Sequence, residues 1–300
     1  MAKPAVGFLF PNFRKATNVS GNPIKKTMTG NLVQIISLTA YGNDYLENGT
    51  NLLNYYPINS VFQFCNRVDF REFYKPFFFF KRKEKIIATD PIEWFTHLKK
   101  GGCQKLRLAF EFSKDQSFAK DHKLAGLSGG GGIWYIEAIY PNYSNFWVNR
   151  WDVTNENDPD RKIWTVNYAE IVKGQPTENR QINQSEIKDK LKKTLNEIAA
   201  FAYKQKLEDW GTQFTKAELN LDSLNPSENY YHKDLLPSSI YTLTTRQLLF
   251  SAGMAWVFGG MGSWNDLGFD SEIESEIYER LSEELYSDIV LAVISSINSN

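Results

Sequence analysis

The chain predicts an α+β protein: an antiparallel, aromatic-rich sheet in meander order, packed by C-terminal helices. Three observations carry this. Four runs between residues 105 and 173 alternate apolar and polar side chains with the two-residue period of a strand. The stretches that separate the last three runs, PNYSN and TNENDPDR, are turn-forming clusters of hairpin length, for which antiparallel pairing of neighbours is the simplest topology. After residue 185 the spacing of apolar residues changes to that of helices. Strands followed by helices point to a sheet covered by helices on one side. A doubly wound parallel sheet would need regular alternation of strand and helix, which is absent.

Taken in order, SVFQFCNRVDF reads as a strand with an irregularity, and PFFFFKRKEKIIA as an apolar run passing into a charged hairpin tip. DPIEWFTHLKKGG is a short helix: Asp90 caps it, Pro91 takes the first helical position, Ile92, Phe95 and Leu98 form its stripe, and Gly101 ends it. QKLRLAFEF sets Leu106, Leu108, Phe110 and Phe112 against Lys105, Arg107, Ala109 and Glu111, a strand with one wet face. GIWYIEAIY, FWVNRWDV and KIWTVNYAEI complete the meander.

The polar stretch GQPTENRQINQ marks the passage to helices. A long amphipathic helix is expected from a capping Ser185 to Gly211, with Ile187, Leu191, Leu195, Ile198 and Ala202 along one face. LDSLNPSENYYHKDLLPSS is a long connection rich in turn formers. TTRQLLFSAGMAWVF is apolar nearly all round and therefore reads as a buried helix. The last helix opens with a capping box from Ser271 to Glu274. The chain thus divides into a mainly β region, 1–173, with a short helix near 90–100, and a mainly helical region, 185–300, packed together as one compact unit.

Composition removes several functions. With 34 basic and 35 acidic side chains the net charge is −1, so there is no general attraction for nucleic acid or an anionic membrane. No apolar segment reaches the roughly 20 residues of a membrane span. The N-terminal MAKPAVGFLFPNFRK lacks a signal core with a cleavage site, and two cysteines, Cys65 and Cys103, fit a reducing compartment; the expectation is a cytoplasmic protein. His97, His122 and His232 make no zinc-type pair by spacing, and neither a metal nor a cofactor is expected.

The glycine segments VFGGMGSWND and LSGGGGIWYIE raise the choice between ligand cradle and joint. Gly259, Gly260 and Gly262 suit a helix end and a second bend, with Trp264 as an anchor; the functional alternative is an anion nest with Asp266 beside it. Gly130 and Gly131 lead into a strand and match no phosphate-binding fingerprint, which leaves an edge loop or a backbone platform for a ligand. Glu137, Asp152 and Glu170 sit on strands that can converge, and paired carboxylates on an aromatic sheet would suit sugar chemistry. Trp147 and Trp151 share a strand face, either core or binding patch. The last helix carries Glu279 and Glu283 on an acidic face suited to a basic partner. The reading these features favour is a non-catalytic protein that binds another protein through sheet aromatics or the acidic helix. The alternative is a hydrolase or glycan-active enzyme using Glu137, Asp152 and Asp266 near a glycine loop.

Overall fold

The structure, a computed structural model, describes residues 28–49, 52–74, 83–117, 119–127, 130–177, 183–260 and 262–300. The N-terminal stretch, the PFFFF run with the hairpin tip after it, and residues 178–182 of the polar transition lie outside them. Six strands, β1 (Cys65–Tyr74), β2 (Lys83–Ala88), β3 (Lys105–Glu111), β4 (Ile133–Ile139), β5 (Ser144–Val153) and β6 (Trp164–Gln175), form one sheet in the order β2-β1-β6-β5-β4-β3. From β3 to β6 every pair is antiparallel, the expected meander, and β1 with β2 is a further antiparallel pair.

The join between these two parts corrects the expectation. β1 runs parallel to β6, so the sheet is mixed rather than purely antiparallel. A parallel pair needs a long crossover, and the whole stretch from β2 through β5 supplies it here. Side-chain alternation has the same period in either direction, so it cannot report which way a distant strand runs.

A second correction concerns the first part of the chain, which contains a long helix as well as strands. α1 (Gly30–Asn48) is capped by Thr29, whose side chain accepts from the backbone N–H of Leu32, and is ended by Gly49 at a φ of 61°. It is buried along most of its length, from Leu32 to Ala40 and again at Gly42 to Asp44. A helix apolar on all sides shows no stripe, and Val33, Ile35, Ile36 and Thr39 are β-branched, so its sequence reads more like a strand.

α1, α2 (Pro91–Lys100) and α7 (Glu272–Asn298) lie against the sheet, and α4 (Gln184–Lys204) and α6 (Leu243–Met254) pack on the outer side of α7, with α5 (Glu208–Asn220) against both. A four-residue helix, α3 (Asp121–Leu124), interrupts the connection from β3 to β4. The helix expected from 185 to 211 is in fact two, broken at Lys206 with a φ of 58°, and its cap is Asn183 rather than Ser185. α7 begins as expected, with the Ser271 side chain accepting from the N–H of Glu274.

The helix-covered face of the sheet holds Val68, Phe70, Leu106, Leu108, Trp134, Ile136, Ala138, Trp147, Val166 and Tyr168, all buried. Phe70 stacks on Trp94 of α2 at 4.4 Å between ring centroids, and Trp94 meets Trp147 edge-on at 5.4 Å. Gly42 lets α1 approach closely: a Cβ there would lie 2.4 Å from the Leu106 side chain and 2.9 Å from the Phe95 ring. The outer edge of β3 is closed by two asparagines. Asn43 of α1 accepts from the N–H of Leu106 at 2.7 Å and donates to its carbonyl at 2.8 Å. Asn298 of α7 treats Leu108 in the same way, at 2.7 and 2.8 Å. Two carboxamides therefore stand where a seventh strand would, which satisfies the edge and sets both helices on the sheet. Replacing Asn43 or Asn298 with alanine leaves one N–H and one C=O of β3 unpaired. Each change should cost about 1–3 kcal/mol, read as a lower urea midpoint at unchanged slope.

Candidate functional site

The opposite face of the sheet has no described helix over it, and Asp69, Glu137, Thr165 and Asn167 on it are buried. Register places Asp69, Asn167 and Arg150 in one row across β1, β6 and β5, and Arg71, Ala169 and Val148 in the next. Glu137 lies opposite Phe146 on the β5 side and opposite Arg107 on the β3 side, while Tyr135 pairs with Ala109. Phe146, Val148, Ala169 and Tyr135 are half-buried and form an apolar strip down the middle.

Polar groups on either side of the strip are largely paired with one another, although Asp69 Oδ1, Arg71 Nε and Asn167 Oδ1 are buried without a hydrogen-bond partner. Arg107 donates to both carboxylate oxygens of Glu137 at 3.0 Å each, a planar two-point contact. On the other side Arg67 and Arg71 reach the same Asp69 oxygen at 2.9 and 3.4 Å, and Arg71 also holds Glu84 at 2.9 Å. Arg150 Nε and Asn167 Nδ2 both donate to Asp152, at 2.9 and 3.2 Å. Tyr135 donates to Glu111, and burial together with that carboxylate pushes its phenol up to about 12. The face is therefore an apolar strip between ion-paired margins.

The predicted site residues are distributed over the molecule. Glu137 and Asp152 do share the open face, but Asp152 lies six residues along β5 from the partner of Glu137, about 20 Å away at strand rise. That exceeds the roughly 5–10 Å separation of a glycosidase pair. Asp266 is elsewhere: its carboxylate accepts from the N–H groups of Gly262 and Ser263, closing a capping box on a single 3-10 turn. Glu170 is on the helix-covered face, bound by Asn145 at 2.6 Å and Lys173 at 2.5 Å, with burial as the main cause of its raised pKa.

Trp147 and Trp151 do share a face, and it is the inward one; Trp147 is buried and Trp151 packs partly buried beside Trp164. Trp264 is buried, its indole N–H donating to Ser282 at 2.7 Å while its carbonyl accepts from Tyr278. Gly130 and Gly131 pack on Leu124 and Ala125, where a Cβ would lie 2.4 Å from backbone atoms in each case. The two glycine segments also meet each other, because a Cβ on Gly126 would fall 2.1 Å from the carbonyl carbon of Gly259. Glycine here serves close backbone approach. Glu279 and Glu283 are engaged by Lys123 and Lys120. Among the described residues no three His, Cys, Asp or Glu side chains are grouped to hold a metal, and no helix is long and apolar enough to cross a membrane.

One constellation has no signal in the linear sequence, because its members are about 170 residues apart. Ser60 begins a 3-10 turn, Ser60–Phe62, and its hydroxyl contacts both His232 Nδ1, at 2.8 Å, and the Asp234 carboxylate. That carboxylate also accepts from the Ser60 N–H at 2.7 Å, and Asn59 and Tyr41 donate to the Asp234 carbonyl at 2.7 and 3.0 Å. In a serine triad the imidazole takes the serine proton and the carboxylate orients the imidazole from its far side. Here the carboxylate takes it, which assigns Nδ1–H of a neutral His232 as donor to Ser60. The group is a lock that ties the long 221–242 connection to the end of the 52–62 turns.

Burial holds His232 down at about 4. It is thus neutral in the fold, whereas in the unfolded chain it takes a proton below about 6.5. The lock's contribution is complete above pH 6.5 and is lost as pH falls from there to 4, by up to about 3 kcal/mol. Urea unfolding between pH 7 and 4.5 should show this slope, and His232→Gln should flatten it. Compared with known protein families, with curated proteins and with solved structures, the chain matches none, so the residues themselves carry the functional reading.

Proposed function

We propose that this chain is a non-catalytic, cytoplasmic protein-binding protein whose partner docks on the open face of the sheet. The observation that carries the reading is the strip of Phe146, Val148, Ala169 and Tyr135, left without a described covering element while the other face is sealed by three helices. A sheet with apolar side chains on its second face calls for cover on that side as well. The flanking charges pair within the face, Arg107 with Glu137 and Arg150 with Asp152, so the partner is selected by fit to an apolar strip and by hydrogen bonds at the margins rather than by net charge. Cys65 and Cys103 are unpaired and buried, with burial pushing their thiols up to about 11 and about 12, which suits a reducing compartment.

An enzyme acting through Glu137, Asp152 and Asp266 has less behind it. Each of these carboxylates is held by neighbours in the chain; Glu137 and Asp152 stand about 20 Å apart along the open face, and Asp266 lies elsewhere. The acidic face of α7 is likewise occupied within the chain.

The test is affinity capture with crosslinking from native lysate, comparing wild type with Phe146→Asp combined with Val148→Lys, both side chains half-exposed. A stoichiometric protein crosslinked to lysines bordering the sheet, such as Lys105, and reduced at least about tenfold in the variant is the expected result; one central charge in an apolar contact is worth that much. Equal capture by a folded variant, or crosslinks confined to the helical layers, would refute the reading.

A further inference from the structure

We propose that the occupant of the open sheet face is a second copy of this chain, so that two molecules pack sheet against sheet as a symmetric dimer; the inference rests on the sheet-face reading above and names its partner. The apolar part of the face is incompletely shielded in the single chain. Phe146, Val148 and Ala169 are half-exposed, and Ile133, two residues from Tyr135 on the same side of β4, is 51% exposed. At the β2 margin Ile86, opposite Arg71, is 46% exposed. Only a second layer takes these side chains out of water.

Three properties favour a copy of the same chain as that layer. The first is area. The six strands are six to twelve residues long, and at about 4.8 Å between strands and about 3.3 Å per residue they make a face of roughly 800 Å². Each partner of a standard stable interface contributes about 800 Å², and a copy of the sheet brings a surface of the same size and outline. The second is layout. The order β2-β1-β6-β5-β4-β3 puts Ala169, Val148 and Phe146 on the two middle strands, with charged margins to either side. Two facing sheets are related by a two-fold axis lying between them, so a strip through the middle meets itself, and every contact made by one copy is repeated by the other. An apolar centre inside a polar border is how such interfaces are built.

The third is charge. A face of one sign repels its own copy, whereas here each margin is balanced: Arg107 stands with Glu137 on one, and Arg67 and Arg71 stand with Asp69 and Glu84 on the other. Whichever margins the two-fold axis brings together, bases and acids are equal in number, and self-docking meets no excess of like charge. Lengthening of the sheet is no alternative at the β3 edge, where Asn43 and Asn298 already occupy the hydrogen-bonding groups of Leu106 and Leu108. An interface of this size is smaller than that of most permanent homodimers, so monomer and dimer exchange with concentration.

Sedimentation velocity between about 0.5 and 100 µM reads the dimer directly. Wild type should rise from the mass of one chain to twice that mass. Val148→Asp and, separately, Val148→Lys set like charges against each other across the two-fold axis. Because this side chain is half-exposed in one molecule, both variants should fold with unchanged circular dichroism and dimerise at least about a hundredfold more weakly. In a crosslinked mixture of isotope-labelled and unlabelled chains, the mixed crosslinks should join lysines bordering the sheet, such as Lys105. A wild type that keeps the mass of one chain at about 100 µM, folded Val148 variants that dimerise as tightly as wild type, or mixed crosslinks confined to the helical layers would overturn the proposal. A single-chain mass overturns it without ending the sheet-face reading, which then stands or falls on capture of a different protein by wild type and its loss in Phe146→Asp with Val148→Lys.

Discussion

The rest of the structure depends on one contact, the seating of α1 on the inner face of the sheet. An isolated sheet of six strands has two faces to shield, and this one buries its aromatic face under a helix that is itself apolar on nearly every side. Burying an aromatic or aliphatic side chain contributes roughly 1.5–3 kcal/mol, and this interface does so for residues from both partners at once. Gly42 sets the depth of the contact and Asn43 its position along β3. Gln34 is the one long polar side chain at its centre, and it is satisfied: it accepts from the Tyr168 hydroxyl at 2.9 Å and donates to the Cys65 sulfur at 3.3 Å. With the inner surface of α1 committed to the sheet, its remaining sides are covered by α2, the 52–62 turns and α7, and α4 to α6 close over α7 in turn.

That order of layers produces the asymmetry on which the functional reading rests. The described helices that touch the sheet lie on the side of α1, and the other side carries a surface intermediate in character between core and solvent face. Its charges neutralise one another in pairs, and its aromatics are half-buried. A face built for solvent alone would have little use for Phe146 and Val148 at its centre. Glu137 and Asp152, the carboxylates expected to converge there, are each paired within the face, Glu137 with Arg107 and Asp152 with Arg150 and Asn167.

Polar side chains elsewhere are largely structural for an equally physical reason. The molecule has long connections to hold down, and it does so with buried or half-buried locks. Ser60, His232 and Asp234 fix the 221–242 stretch, Asp266 and Ser263 cap a single turn, and Asn265 holds α3. Resemblance to a triad or an anion nest dissolves once each donor is followed to its acceptor. Some buried polar atoms do not find partners, among them Asp121 Oδ1 and Asn265 Oδ1 at the α3 joint and Asp69 Oδ1, Arg71 Nε and Asn167 Oδ1 on the sheet.

Local chemistry was legible in the sequence by itself. Asp90, Pro91 and Gly101 mark α2, Ser271 marks the start of α7, and the alternation in β3 to β6 with its turn clusters gives the meander and the shared face of Trp147 and Trp151. These follow from spacing and capping, which act over a few residues. Only the tertiary structure decided the parallel join of β1 to β6, the helical state of residues 30–48, the break at Lys206, and which face of the sheet is core. It also decided that Glu137 finds Arg107, that Glu279 and Glu283 find Lys123 and Lys120, and that Ser60 meets His232. Each of these is settled by a partner distant in the chain, and the two-residue and 3.6-residue periods that make a sequence readable contain no information about such partners.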